Sequence, residues 1–226
     1  LRAQVKAMAR VKVVRRRKYP KKSRPARSEK KSKATAGRIE IIGIGASTGG
    51  PPALQAILGQ LPDNLAVPVV VVQHISAGFV TGLARWLNET VGLRVMVADE
   101  GRLIKPGHVY IAPDDRHLVV SRERRLWLKN APLTDGHRPS VTVLFDSVAR
   151  HFGKAAVGVL LTGMGADGAS GLKAIRDAGG RTIAQDEATS IIFGMPNEAI
   201  KLGAAKEVVA LGHIGERLTA LMKNEE

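Results

Sequence analysis

The sequence predicts an α/β fold in which the strands of an open sheet alternate with helices and a small antiparallel hairpin section is added. Three observations lead there. Apolar, β-branched runs recur at residues 39–44, 67–72 and 155–162, and continuous runs of that kind mark strands buried on both faces. Each run ends in a glycine-rich or polar turn followed by helical periodicity, the βα rhythm of a parallel sheet. Residues 93–129 instead read as short strands between Gly-, Pro- and Asp-containing turns.

With 226 residues, 44% of them hydrophobic, the chain can enclose one sizeable core. No apolar run approaches the roughly 20 residues that cross a bilayer, so no membrane insertion is expected. Cysteine is absent, which removes disulfides, thiolate nucleophiles and Cys-based zinc sites and is compatible with a cytoplasmic home. The first residue is Leu and no apolar signal core follows it, so the sequence is expected to begin inside a longer natural chain.

The net charge of +15 is confined to one end: residues 1–38 hold 16 Lys+Arg and one acid, Glu29, and residues 39–226 hold 19 Lys+Arg and 19 Asp+Glu. A basic domain face for specific nucleic-acid binding is therefore not indicated. Leu1, Val5 and Met8 lie at helical spacing, and residues 15–33 are too charged to collapse into a core. Residues 1–38 are read as a basic flexible linker, with a polyanion-binding arm as the alternative, and residues 39–226 as the folded domain.

The strand at 39–44 breaks into Gly45-Ala46-Ser47-Thr48-Gly49-Gly50 before a helix begins near Pro51, which suits a first turn because its missing N–H would lack a partner anyway. Ser47 has the G-x-S-x-G spacing of a nucleophile elbow. Glycine-rich turns of this kind also cradle phosphates, and a serine there also caps helices, so three readings stand at this point. A helix at 52–61 leads to the strand 67–72, which ends at Gln73 and His74 before a helix at 78–88. His74 thus follows a strand end, as Ser47 does.

Strands are expected at 94–98, 108–112, 118–121 and 126–128, forming an antiparallel section attached to the main sheet. His108 and His117 lie in this region without metal-spaced partners and read as strand or surface histidines. In the loop 134–140, His137 and Arg138 either bind an anionic group or are loop residues, and Ser140 is a candidate N-cap for the helix 141–151. The strand 155–162 runs into Gly163-Met164-Gly165-Ala166-Asp167-Gly168 and a helix at 169–178. Asp167 is then either the N-cap of that helix or a group presented at the sheet edge. The strand 181–184, helix 196–202, strand 207–210 and helix 214–222 complete the chain.

Three βα junctions deliver Ser47, His74 and Asp167 to one sheet edge, where ligands bind in open α/β folds. A serine hydroxyl is a weak nucleophile until an imidazole takes its proton, and a carboxylate fixes the imidazole tautomer. Backbone N–H groups near Thr48 and Met164 suit a developing oxyanion. The order Ser, His, Asp differs from the Ser, Asp/Glu, His order of α/β-hydrolases, so a different fold is expected.

The segments IGIGASTGGPPALQAILGQLP, VVVVQHISAGFVTGLARWLN, DGHRPSVTVLFDSVAR and LLTGMGADGASGLKAIRDAGGRTIAQDEATSIIFGMPNEAI resemble, in that order, the catalytic domain of chemotaxis protein-glutamate methylesterases of the CheB type. The resemblance implies a doubly wound, mostly parallel sheet with helices on both faces, and a serine hydrolase that needs no metal or organic cofactor. It implies Ser47 as nucleophile, His74 as base, Asp167 as its carboxylate, and Thr48 and Met164 as oxyanion or substrate-positioning residues. The implied substrates are methyl esters of glutamate, and often glutamines, on chemoreceptor cytoplasmic domains. Members carry a regulatory receiver domain in the same chain, and residues 1–38 match the linker that follows it.

Overall fold

The computed structural model describes residues 38–223, so the helical spacing of Leu1, Val5 and Met8 and the linker reading of residues 1–37 lie outside the described residues. Among the described residues nine strands and six α-helices follow one another as β1 (Ile41–Ala46), α1 (Gly50–Leu58), β2 (Val69–Gln73), α2 (Val80–Thr90), β3 (Arg94–Val97), β4 (His108–Ile111), β5 (His117–Val120), β6 (Leu126–Lys129), α3 (Val141–Phe152), β7 (Ala156–Leu160), α4 (Ala169–Asp177), β8 (Arg181–Gln185), α5 (Met195–Lys201), β9 (Glu207–Val209) and α6 (Leu211–Lys223). Element types match the periodicity throughout, with ends shifted by at most three residues.

Seven strands form one parallel sheet in the order β3-β4-β2-β1-β7-β8-β9. The strands of β1 and β2 are fully buried because both sheet faces are covered, and their side chains divide by the two-residue period of a strand. Ile42, Ile44, Val69 and Val71 pack with Leu54 and Ile57 of α1, Leu87 of α2 and Leu218 of α6. Ile41, Val70 and Val72 pack instead with Leu144 and Phe145 of α3 and Leu172 of α4. The sheet is thus doubly wound, with a core on each face.

The antiparallel section is smaller than the sequence suggests. Only β5 and β6 pair antiparallel, as a separate two-stranded sheet whose Leu118, Val120 and Leu126 join the α3-side core. The segments expected as its first two strands, β3 and β4, are parallel members of the main sheet. Their shortness and the turn residues between them gave a hairpin pattern. However, α2 separates β2 from β3, and the 98–107 segment gives enough chain for β4 to return in the same direction.

The winding turns outward in opposite directions on either side of β1 and β7. Strands β2, β4 and β3 extend one way, and β8 and β9 the other. That reversal leaves a crevice at the carboxyl ends of β1, β2 and β7, where Ser47, His74 and Asp167 follow their strands.

Candidate active site

Two glycines shape the turn at Ser47. A Cβ on Gly45 would lie 2.2 Å from Cγ1 of Val141, so the absent side chain lets the first turn of α3 press onto β1. Gly49 is the N-cap of α1 with φ 81°, a conformation L side chains rarely adopt. Ser47 itself has no positive φ, so the turn shares the spacing of a nucleophile elbow without a strained serine.

Ala46 and Gln73 are register partners of β1 and β2, which sets Ser47 and His74 side by side at the next position. The His74 amide donates to the Ala46 carbonyl at 2.9 Å, and the Ser47 amide donates to Thr162 of the β7 side at 3.0 Å. Ser47 is half-buried, and its hydroxyl makes no hydrogen bond to another protein group among the described residues. Next to it, the backbone N–H groups of Thr48 and Met164 also have no protein partner among those residues, and both residues are exposed.

Asp167 is buried and does not cap the helix that follows it; Gly168 occupies that position without any side-chain bond. Its carboxylate turns instead to the start of α3. Oδ1 accepts from Ser140 Oγ at 2.7 Å and Thr142 N at 2.9 Å, and Oδ2 accepts from Val141 N at 2.7 Å. His74 Nε2 lies 2.9 Å from the same Oδ2. That approach is close but off the N–H axis, and neither ring nitrogen makes an aligned hydrogen bond among the described residues.

Burial raises the Asp167 pKa, but the contacts from His74, Thr142, Ser140 and Val141 outweigh it and bring it down to about 2. The carboxylate is therefore ionised at neutral pH. The positive end of α3 works in the same direction as those hydrogen bonds.

The loop 134–140 supplies two features that the sequence does not reveal. His137 stacks on His74, with ring centroids 3.9 Å apart and planes 13° from parallel. Burial lowers the His137 pKa, and the nearby His74 lowers it further against the pull of Asp167 and Asp135. Arg138, read as a possible anion binder, is already engaged by Asp115, Asn130 and the Ala131 carbonyl. Ser140 is the N-cap of α3 as expected, and its second role on Asp167 links residues 27 apart in the chain, beyond any local pattern.

His117 is buried within the hairpin, where the Ser140 amide donates to Nδ1 at 3.2 Å and Nε2 lies 2.9 Å from the Pro132 carbonyl. It holds the loop in place and stands apart from the crevice residues. Beside His74 lies a cleft of about 340 Å³ bordered by Ile75, Ala77, Asp114 and His137. Among the described residues no group of His, Cys, Asp or Glu side chains is arranged to hold a metal ion. No described helix is long and apolar enough to cross a membrane.

A family model described as CheB methylesterase matches residues 42–218, nearly all of the described fold. The chain belongs to the CheB methylesterase family. Its CheB relatives include a protein-glutamate methylesterase/protein-glutamine glutaminase of Myxococcus xanthus, 46% identical over 99% of this chain and 64% of the relative. A second bears the same activities in its name, from the group 3 operon of Rhizobium meliloti, and is 48% identical over 97% of this chain and 62% of its own length. The chain thus spans a little under two thirds of these relatives. The CheB methylesterase catalytic domain of Thermotoga maritima, known from a crystal structure, superposes with a TM-score of 0.78 at 40% identity, covering 81% of this chain and 98% of that domain.

Proposed function

We propose that this chain is a serine hydrolase that removes methyl groups from glutamate methyl esters on the cytoplasmic domains of chemoreceptors, and that it acts in the cytoplasm. The observation that carries the reading is His74, set beside Ser47 by strand register and 2.9 Å from a buried, ionised Asp167. An anionic neighbour at Nε2 favours the tautomer with its proton there and leaves the Nδ1 lone pair to act as base. That is the reverse of the serine-protease arrangement, in which Nδ1 faces the aspartate.

In this reading Ser47 Oγ bonds to the γ-carbonyl carbon of the ester while its proton passes to His74 Nδ1. The Thr48 and Met164 N–H groups, both without protein partners, receive the oxyanion. As the intermediate collapses, the C–O bond to the methoxy group breaks and the Nδ1 proton leaves with it as methanol. Water then attacks the acyl-enzyme and gives a proton to His74; the C–Oγ bond breaks, His74 returns that proton to Ser47 Oγ, and the product acid leaves as the glutamate carboxylate, its proton going to solvent.

A glutamine side chain follows the same course with ammonia as leaving group, which makes deamidation a second activity of the site. The relatives' names pair these two activities. The basic residues 1–38 are proposed to connect to a receiver domain that regulates the crevice. The functional test is methanol release from methylated receptor membranes by the chain and by Ser47→Ala. Loss of several orders of magnitude is expected of a missing nucleophile, and an undiminished rate refutes the assignment.

A further inference from the structure

We propose that Gln73 is a positioning residue that fixes the oxyanion-binding peptide and the base together, an inference that rests on the roles given above to Ser47, Thr48 and His74. Gln73 ends β2 after four valines and is 3% exposed. A carboxamide buried at that level is costly unless its polar atoms are paired; here the donors are, while Oε1 has no protein partner among the described residues. Here Nε2 donates to the Ser47 carbonyl and to the His74 carbonyl, both at 2.8 Å. One NH₂ group thus joins the two residues assigned as nucleophile and base.

The consequence follows from peptide geometry. The Ser47 carbonyl and the Thr48 N–H belong to a single planar unit, and among the described residues only the Arg138–Pro139 bond is cis. Holding the Ser47 oxygen between Gln73 Nε2 and the Gly50 amide, which also donates to it at 2.8 Å, forces the Thr48 N–H to the opposite side. That is the exposed side, where this N–H has no protein partner. Rotation of this peptide would remove an oxyanion donor. The second bond restrains the backbone of His74 directly after its strand ends, and so the placement of its ring.

The carboxamide is held in one orientation. A Cβ on Gly50 would lie 1.9 Å from Gln73 Oε1, so the oxygen rests against the bare Cα of Gly50. Flipping the amide would set Oε1 against two carbonyl oxygens, a repulsive arrangement. Gly50 is therefore part of the same device.

The test uses the 226-residue chain, methylated receptor membranes and two variants. Gln73→Met keeps the volume and removes both donors. Gly50→Ala keeps the glutamine but puts a methyl where Oε1 sits, 2.8 Å also from Ala46 Cβ, so the carboxamide is displaced; it decides the matter alone if Gln73→Met does not fold. In each, kcat for methanol release is expected to fall about 10²-fold with KM within about twofold, as for loss of an oxyanion donor. Affinity for an alkylboronic acid, which forms a tetrahedral anion on serine, is expected to fall in parallel with kcat. A merely structural residue would lower the melting temperature and leave kcat per folded molecule unchanged. If kcat stays within about threefold of the unsubstituted chain, the positioning role is overturned and Ser47 as nucleophile is untouched. An unsubstituted chain that releases no methanol overturns both.

Discussion

The carboxylate of Asp167 meets His74 Nε2 at 2.9 Å, while its other partners all belong to the N-cap and first turn of α3. Two elements far apart in sequence are thereby joined to a third. The end of β7 carries the acid, α3 supplies the donors that keep it ionised, and β2 presents the imidazole. The charge that orients His74 is thus maintained by a helix that contains none of the residues assigned to bond making.

That arrangement makes folding stability depend on pH through Asp167. The Asp167 pKa in the fold, about 2, lies below its ordinary 3.8, so the unfolded chain binds the proton more readily. Its contribution is complete above the ordinary value and is lost as pH falls from there through about 2; the gap corresponds to about 2 kcal/mol. Urea unfolding between pH 5 and pH 2, as rough bounds, should show this loss, and Asp167→Asn should lack that part of the slope. The same variant should lower kcat at neutral pH by about 10⁴-fold, because asparagine does not hold the imidazole in the required tautomer.

His137 calls for the opposite proton at the same site. With its pKa lowered by burial and by His74, it stacks on His74, the proposed base, as a neutral ring. The folded state resists its protonation, so its contribution falls as pH drops below the ordinary value of about 6.5. His137→Phe keeps the stacking face and removes the titration. Thermal unfolding from about pH 7 to pH 5 should therefore be less pH-dependent in this variant than in the unsubstituted chain, and His137→Ala should lower kcat more than His137→Phe does. Equal losses in the two would show that the stacked face is immaterial.

How far the sequence leads is visible in particular residues. The β-branched runs of β1, β2 and β7 are fully buried, so nothing interrupts their apolar pattern, and their βα junctions place Ser47, His74 and Asp167 on one edge. Strands β3 and β4 depart from the expected antiparallel section because direction is a property of pairing, and a four-residue segment carries little sign of which neighbour it will take. Asp167 illustrates another limit. Its place before a helix fits an N-cap, yet the N–H groups it satisfies belong to α3, which comes into reach only because Gly45 lets Val141 approach β1. Gln73 and His137 were illegible for the same reason, since their partners are defined by register and loop closure.

The last prediction concerns Gly163, which follows β7 and closes on Ser47 from the far side of the crevice. A Cβ there would lie 2.6 Å from Ser47 Cβ and 2.4 Å from Met195 Sδ. The methionine is fully buried, but its unbranched thioether can repack in another rotamer. Ser47 is held more firmly, because its amide is bonded to Thr162 and its carbonyl to Gly50 and Gln73. The strain of Gly163→Ala must then be relieved by shifting either the serine or the Gly163 backbone, whose carbonyl accepts the amides of Gly194 and Met195. Overpacking of this kind costs about 1–3 kcal/mol, and displacement of the proposed nucleophile by about 1 Å is expected to lower the rate by roughly 10²-fold. Thermal melts and methanol release measured on Gly163→Ala should therefore both decline. A protein that melts lower yet turns over at the full rate would show that the backbone, and not Ser47, yields.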